Sequence, residues 1–208
     1  NTNHNKVLSI GNAVPFAIGG FSSRTVQTVV AEGEPVGFIR GYKAVLNPDN
    51  SLKEILPLQN LGSTLPSAYG NFSLSASYKN LSFMLSGDYQ YGAYVHSFDR
   101  QFRFSKGLKD DAIPEKALEG LDQGANWLNF TNFFVEKSDF LKIRNIGIAY
   151  DYKPKKYLKS VNLAFNVYNP FAFTASSVDP EAALAGARSQ GAVAVGGLNY
   201  SSYSTPRQ

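Results

Sequence analysis

Residue types that catalyse reactions or bind metals occur in this chain, but their spacing matches no catalytic constellation. The two histidines, His4 and His96, lie far apart and lack the spacing of a metalloprotease helix. We interpret them as lone polar residues on a surface or in a lumen. The 208 residues contain no cysteine, which excludes disulfides, thiol catalysis and cysteine-based metal sites within this sequence.

The acidic residues near the middle of the chain form no recognisable metal site. Asp110, Asp111 and Glu115 could be paired acids or calcium ligands, but neither an EF-hand spacing nor a pivoting glycine accompanies them. A solvated loop is the interpretation that this pattern favours.

The acidic residues near the N-terminus could in principle form a catalytic pair. Glu32 and Glu34 would share a face in a strand, an arrangement that the paired carboxylates of a glycosidase could use. A polar loop around Gly33 is the interpretation we favour. The glycine-rich residues 191–197 lack the Lys-Ser/Thr and the following helix of a phosphate loop. We therefore predict no enzymatic activity, no metal site and no cofactor.

A cluster of aromatic residues supplies the one binding hypothesis. Tyr94, Trp127, Phe130, Phe133 and Phe134 could stack on sugar rings or on apolar peptide side chains if they lie in an external loop. Alternatively, they pack the loop on itself, form an aromatic girdle or contact a partner protein. The sequence leaves these alternatives open.

The clearest structural element is a hairpin that ends near residue 91. From Phe72 to Tyr78, apolar residues alternate with serines, and Lys79-Asn80 predicts a tight turn. After the turn, apolar residues and tyrosines from Leu81 to Tyr91 alternate with small or polar ones, mostly Ser, Asp and Gln. An apolar outer face with aromatic ends and a polar inner face is typical of a transmembrane β-barrel. This pattern favours a barrel over a soluble sandwich.

Two further amphipathic strands follow, joined by a short basic turn that begins at Lys153. In the first, over 140–152, the apolar residues change from odd to even positions. Either a β-bulge near Arg144-Asn145 restores one apolar face, or Lys142 and Arg144 share the lipid-facing side near the rim of the membrane. In the second, Val161 to Val167 alternate with polar residues before an Asn-Pro corner at Asn169. We interpret the basic turn as a solvated surface turn rather than as a nucleic-acid-binding patch.

Less regular segments make up the remainder. Residues 1–31 predict two short strands, at 6–10 and 25–30, around a turn that includes Gly19-Gly20. Residues 43–68 and 105–137 are interpreted as loops, the second with a short helix over 114–122. Another long loop is predicted over 171–197, with a helix that begins at Asp179-Pro180-Glu181.

The order of three motifs near the C-terminus resembles a known family. Residues Ser138 to Tyr150 (SDFLKIRNIGIAY), with Phe140, Leu141, Arg144 and Asn145, precede Asn169-Pro170-Phe171, Thr174 and Asp179-Pro180-Glu181. This order is similar to the C-terminal end of SusC/RagA-like TonB-dependent outer-membrane transporters. The segment Glu32 to Tyr42, with Gly33, Pro35 and Gly37, also resembles a segment of these barrels.

This resemblance implies an all-β fold, part of a large antiparallel transmembrane barrel with long extracellular loops. About eight strands can be drawn, out of about 22 in the large barrels of this type. Residues 1–208 would be a C-terminal portion of the barrel domain, without the final strand, the plug domain or the TonB box. The whole protein would import an oligosaccharide or peptide across a bacterial outer membrane.

The resemblance also implies partners: a SusD-like surface lipoprotein, the TonB complex through the missing N-terminal part, and outer-membrane lipid and lipopolysaccharide. No nucleic acid is expected, since the net charge of +4 is small and the lysines are spread along the chain. Two alternatives remain: a non-transporting outer-membrane scaffold or secretion-associated barrel, and a soluble β-sandwich carbohydrate-binding module.

Composition agrees with a β-protein. The chain has 15 Phe and 12 Tyr but 1 Trp and 1 Met, a balance that suits strands at an interface better than a helical bundle. No apolar run reaches the length of about 18 residues that a transmembrane helix needs, whereas barrel strands give only short alternating signals. The start of the chain does not resemble a signal peptide.

Overall fold

The computed structural model describes residues 1–20, 26–154, 159–177 and 198–199, and strands dominate these residues. In chain order the strands are β1 (Phe16–Gly20), β2 (Gln27–Val30), β3 (Phe38–Leu46), β4 (Leu52–Ser63), β5 (Ala68–Tyr78), β6 (Leu81–Tyr91), β7 (Tyr94–Ser97), β8 (Val135–Lys137), β9 (Phe140–Tyr152), β10 (Val161–Thr174) and β11 (Leu198–Asn199). The helices are α1 (Phe98–Ser105) and α2 (Gln123–Asn126), with 3₁₀-helices at Glu115–Leu118 and Trp127–Phe134.

The described strands form three open sheets. One has the order β1-β2-β3-β4, the second β10-β9-β6-β5, and the third β11-β7-β8. All pairs are antiparallel except β11 with β7. The prediction of a mostly β chain built from antiparallel sheets is therefore confirmed. Across the described ranges, no helix has both the length and the apolar character that crossing a membrane demands.

The predicted hairpin forms one half of the second sheet. Tyr78 pairs with Leu81, so Lys79 and Asn80 make a two-residue turn, and Lys79 adopts a positive φ of 54° there. The first strand begins at Ala68, four residues before the start of the sequence pattern. The strict period-2 alternation and the short turn explain why this hairpin could be predicted.

Of the two alternatives for the following strand, the structure has the β-bulge. Between β6 and β9, Ser86 pairs with Asn145 while Gly87 pairs with Ile143, which leaves Arg144 as the extra residue. The bulge shifts the alternation by one residue, so that Ile143 and Ile146 lie on the same face of the sheet.

The predicted Asn-Pro corner is wrong, because β10 continues past it to Thr174. Tyr168 pairs with Asn145 and Phe171 with Ile143, so Asn169 and Pro170 together lie opposite Arg144. Asn169 has a φ of 50°, and Pro170 has no N–H to donate to a ladder. These two residues form a second bulge rather than the end of the strand.

The N-terminal predictions are partly wrong. Residues 6–10 form no strand, although Val7 exchanges backbone hydrogen bonds with Gly33 and Glu34 at 2.8 and 2.9 Å. Gly19 and Gly20 lie in β1, paired with β2, and not in a turn. The predicted strand over 25–30 corresponds to β2, within the described residues.

The prediction of a loop over 43–68 is wrong, since β3 and β4 form a long hairpin there. Register shifts occur at three places between these strands, and Leu58 has a positive φ of 54°. Such irregularities break the apolar alternation that identifies a strand in sequence.

The predicted long loop over 105–137 is instead a packed segment. It contains α2 and both 3₁₀-helices, and the helix predicted over 114–122 is a single 3₁₀-turn at Glu115–Leu118. Residues 26–66 and 93–138 pack together, and we call them the core unit. All buried hydrophobic residues found in the described chain belong to it: Val26, Val29, Phe38, Ile39, Ala44, Ala93, Val95, Phe104, Ile113, Ala117, Phe130 and Phe134.

The sequence from 178 to 197 lies outside the described residues. This applies to the predicted helix start at Asp179-Pro180-Glu181 and to the glycine-rich stretch over 191–197. Residues 155–158 of the basic turn and the segment from 200 to 208 also lie outside them.

Candidate functional site

Strands β5, β6, β9 and β10 form a sheet with one continuous apolar face, which we call the exposed sheet. Residues that pair across antiparallel strands point to the same side, so the register defines rows across the sheet. From the turn end upward the rows are Tyr78–Leu81–Tyr150–Leu163, Ala76–Phe83–Ile148–Phe165, Leu74–Leu85–Ile146–Val167, Phe72–Gly87–Ile143–Phe171 and Gly70–Tyr89–Leu141–Phe173.

This apolar face is uncovered. Leu74 is 56% exposed, Phe165 66% and Phe173 59%, although each belongs to a residue type that folded chains normally bury. A patch that spans four strands is far larger than the scattered exposed hydrophobics of an ordinary soluble surface.

Aromatic residues lie at both ends of the apolar face. Tyr78 and Tyr150 occupy the row next to the turn, and Tyr89 and Phe173 occupy the opposite row. Tyrosine combines an apolar ring with a polar hydroxyl, which suits a boundary between an apolar phase and water.

The opposite face of the exposed sheet is polar. The β5–β6 hairpin presents there mainly serines, together with Asn71, Asp88 and Gln90, and the facing residues of β10 include Asn162 and Asn166. The hydroxyls of Ser77 and Ser82 lie 3.1 Å apart, and Asn162 donates to Asp151 at 2.7 Å. The two faces of the sheet therefore require different environments.

The bulge at Arg144 supplies charge to the polar face. Arg144 forms a two-point ion pair with Asp88 on the neighbouring strand, through Nε to Oδ1 and through Nη2 to Oδ2 at 2.9 Å. Without the bulge, a strand that kept Ile146 and Ile148 on the apolar face would also place Arg144 there. The ion pair and the bulge together keep the apolar face free of charge.

The exposed sheet is connected to the core unit by hydrogen bonds at the end of the sheet that lies away from the Lys79-Asn80 turn. The Gln90 side chain donates to the carbonyl and the hydroxyl of Ser138, both at 3.1 Å. The Gly92 N–H donates to an Asp139 carboxylate oxygen at 2.6 Å. Gly92 has a φ of 83°, which favours glycine at this junction.

Inside the core unit, Arg100 is the centre of an ion-pair network. Its guanidinium donates to both carboxylate oxygens of Asp110, at 2.9 and 2.5 Å, and to Glu136. Glu136 also accepts hydrogen bonds from the N–H and hydroxyl of Ser177, just beyond β10, at 2.6 and 2.8 Å. Burial opposes the charge, but the two carboxylates outweigh it and raise the pKa of Arg100.

We predict that Glu136→Gln destabilises the core unit by about 1–3 kcal/mol, because a partly buried guanidinium loses a charged partner. The glutamate side chain is 16% exposed, so solvent screens the pair only weakly. Hydrogen exchange of the core unit in the whole polypeptide measures the loss. Glu115→Gln, which breaks the surface pair with Lys109, is the control and should leave exchange unchanged. Equal effects of the two substitutions would contradict this role for the network.

His96 is buried at the centre of the core unit, so the interpretation of a surface or lumen residue is wrong for it. Its Nε2 lies 2.6 Å from Oε1 of Gln101, and Gln101 in turn donates to Thr131 at 2.9 Å. Because the amide oxygen can only accept, the Nε2 atom carries the proton. Within the described part of the chain, Nδ1 has no hydrogen-bond partner.

Burial lowers the pKa of His96 to about 4 from an ordinary value of 6.5, while the bond with Gln101 opposes this shift. Between pH 4 and pH 6.5 the unfolded chain binds more protons at this histidine than the folded chain does. The contribution of His96 to the free energy of unfolding is therefore fully present above pH 6.5 and is lost as the pH falls through about 4. We predict that the core unit loses up to about 3 kcal/mol well below pH 4 from this group.

Hydrogen exchange of β7 at several pH values, corrected for intrinsic rates, measures this loss. His96→Gln should flatten the profile, while His4→Gln, at an exposed residue, should not. An unchanged profile in His96→Gln would refute the assignment.

The five aromatic candidates for ligand contact fall into two groups. Phe130 and Phe134 are fully buried and pack on Phe104, with ring centroids 5.8 and 5.5 Å from it. These two rings therefore pack the segment on itself, which is one of the alternatives to ligand contact. Tyr94, Trp127 and Phe133 are only partly buried. For these three, contact with a ligand or partner stays a prediction.

The acidic candidates are used in local structure. Asp110 neutralises Arg100, and Glu115 pairs with Lys109. Glu34, between β2 and β3, accepts a hydrogen bond from Asn60 at 2.6 Å. Across the described residues, no group of three or more His, Asp or Glu side chains could hold a metal ion.

The N-terminal motif glycines occupy turns. Gly33 and Gly37, on either side of Pro35, have φ angles of 85° and 71°, which L-residues with side chains rarely adopt. The Gly37 carbonyl accepts hydrogen bonds from the N–H and hydroxyl of Thr64 at 3.3 and 2.7 Å. The motif therefore ties the entry of β3 to the exit of β4.

Sequence reasoning missed one polar residue that helps to hold the core unit together. The Asn132 side chain accepts from the N–H of Ala44 at 2.9 Å and donates to the Ala44 carbonyl at 3.3 Å. Its amide therefore pairs with the backbone of β3 at a point beyond the residues that β2 pairs with. The two residues are 88 positions apart, and no local pattern marks such a pairing.

Comparison with known proteins gives matches among solved structures only. No protein-family model and no curated protein matches the chain. The RagAB peptide importer in its "closed-closed" state matches with a TM-score of 0.57 and 15% identity, over 91% of this chain. The "open-open" state matches with 0.55, 16% and 93%, and a RagAB peptide transporter structure with 0.55, 18% and 90%.

The chain spans 23% of the length of each of these importer chains. At this identity the likeness shows the fold alone. The structural neighbours are transporters, and their fold agrees with the all-β, antiparallel architecture that the motifs predict.

Proposed function

We propose that this chain forms part of the wall and the external loops of a large outer-membrane β-barrel that imports a nutrient. The observation that carries the proposal is the exposed sheet, with five apolar rows, aromatic residues at both ends and a polar opposite face. Lipid on one side and a water-filled lumen on the other would satisfy both faces.

The dimensions of the apolar face support this proposal. From Leu81 to Tyr89 a strand rises about 27 Å at about 3.4 Å per residue. With the tilt of about 40° typical of barrels, this corresponds to about 21 Å along the membrane normal. The apolar band of outer-membrane barrels is about 25 Å tall, so the five rows fill most of it.

The particular class we propose is a SusC/RagA-like TonB-dependent transporter of an oligosaccharide or peptide, with a plug and TonB box elsewhere in the polypeptide. A SusD-like surface lipoprotein and the TonB complex would be its partners. The fold likeness to RagAB importer chains and the C-terminal motifs support this class. In this role Tyr94, Trp127 and Phe133 would contribute to the external mouth.

Single cysteines in the whole polypeptide test the proposed wall. Leu74→Cys and Ser75→Cys place thiols on opposite faces of β5, and this sequence has no native cysteine. After coupling to a polarity-sensitive fluorophore in outer membranes, the probe at 74 should report an apolar environment and resist aqueous quenchers. The probe at 75 should report water. Equal quenching at both positions would overturn the proposal.

Import itself needs a growth test. A strain that lacks the whole polypeptide should lose growth on oligopeptides or on oligosaccharides as sole carbon source, and the restored protein should recover it. Loss on one substrate class would identify the substrate. Unchanged growth on both classes, together with a confirmed wall, would favour the non-transporting scaffold.

A further inference from the structure

We infer that the core unit is a folded domain outside the membrane, seated on the polar side of the barrel wall, and that β2 to β4 are not wall strands. This inference rests on the proposed function for the position of the membrane. It differs from the expectation of about eight wall strands. Only β5, β6, β9 and β10, among the described strands, carry the apolar rows.

The distribution of buried residues supports a separate domain. The buried hydrophobic residues all belong to the core unit, while the exposed sheet contributes none to that set in the described chain. One cluster joins Ala44 of β3 to Phe104 of α1 and to Phe130 and Phe134. A hydrophobic core of this kind is organised by exclusion of water and indicates an aqueous setting.

The β3–β4 hairpin leaves neither of its sides for lipid. One side carries Ala44, which packs in the hydrophobic cluster of the core unit. The other side carries Lys43 and Glu54, both exposed, because Glu54 pairs with Val45 next to Ala44. In a wall strand these charged residues would face lipid, where a charge at mid-bilayer costs about 2–4 kcal/mol.

Contacts at the tip of the β3–β4 hairpin place β3 and β4 next to the long connection between β6 and β9. Asp49, in the β3–β4 turn, accepts a hydrogen bond from Lys116 at 2.6 Å. Residues 92–139 connect the ends of β6 and β9 that lie opposite the Lys79-Asn80 turn. The short turn and this long connection therefore lie on opposite sides of the membrane. Because Lys116 belongs to the connection, the β3–β4 hairpin lies on the same side of the membrane as the connection.

An asymmetry at the top of the exposed sheet places the core unit over the polar face. Gln90 and Lys142, on the polar face, are each 8% exposed, and Gln90 contacts Ser138 of the core unit. On the apolar face at the same height, Tyr91 and Phe173 are 60% and 59% exposed. The core unit therefore covers the polar face at β6 and β9, while Tyr69 of β5 on that face is 45% exposed, and it would roof part of the mouth.

Cysteine labelling on intact cells tests this placement in the whole polypeptide. We expect a membrane-impermeant maleimide to label both Lys43→Cys and Glu54→Cys from outside, since both residues lie on the exposed side of the β3–β4 hairpin. In the matched wall pair, it should label Leu74→Cys at least tenfold more slowly than Ser75→Cys. Protection of residues 43 and 54 would mean that this side of β3 and β4 faces lipid and would overturn the inference.

A cysteine pair tests the roof. A short flexible bismaleimide should cross-link Gln90→Cys to Ser138→Cys, because the Gln90 amide reaches Ser138 at 3.1 Å and the linker replaces the length of the lost side chain. Failure to cross-link, with free labelling of Cys at 90, would show that the core unit does not cover the polar face. Failure of the proposed function would look different, since Leu74→Cys and Ser75→Cys would then label equally.

Discussion

Replacing Leu74 by arginine is expected to prevent stable insertion of this part of the chain into lipid. Leu74 belongs to the third of the five apolar rows, at the centre of the proposed membrane band. An arginine at the bilayer midplane of a barrel costs about 2–4 kcal/mol, a large share of the stability of a typical protein. Urea unfolding of the whole polypeptide in lipid bilayers measures the cost.

The neighbouring residue provides the control. Ser75→Arg adds the same side chain to the polar face, where water would solvate it, and should change stability by less than about 1 kcal/mol. A similar loss in both variants would show that β5 does not separate lipid from water. Since the two residues are adjacent in one strand, backbone propensity cannot explain a difference between them.

The second large effect is expected in the core unit. Phe104→Ala should destabilise this unit by about 3–5 kcal/mol, because the phenyl ring is 1% exposed and packs on Phe130 and Phe134. Hydrogen exchange and limited proteolysis of residues 93–138 in the whole polypeptide should both increase sharply. The exposed sheet should keep its protection if the core unit is a separate domain.

Phe102→Ala is the matched control for this prediction. Phe102 belongs to the same helix but is 46% exposed, and its ring stacks on Phe98 at 5.9 Å. Its removal should cost less than about 1 kcal/mol. If both phenylalanines had the same effect, α1 would not be anchored through the cluster around Phe104.

The exposed sheet could be predicted because its signal is local. Alternation over β5 and β6 and the two-residue turn identify the hairpin, and the change of phase near Arg144 indicates the bulge. The β3–β4 hairpin could not be found in the same way. Its register shifts and the positive φ of Leu58 remove the alternation, and tertiary contacts hold the strands in place.

The packing of residues 105–137 into the core unit was missed for a different reason. The spacing of Trp127, Phe130 and Phe134 is that of one helical face, which could have indicated a packed segment rather than a ligand-binding loop. The Arg100 network has no comparable signal. Its partners are 10 and 36 residues away along the chain, so only the folded structure brings them together.

The Arg100 network also has a consequence for the order of folding. The β5–β6 hairpin closes a two-residue turn, but pairing of β6 with β9 must first bring together residues separated by all of 92–139. The entropy cost of such a closure falls if the intervening residues have already become compact. Arg100, tied to Asp110 and Glu136, brings the two ends of this segment close to each other. We expect the segment to nucleate the later strand pairing, so in pulse-labelling experiments its amides should gain protection before those of β9.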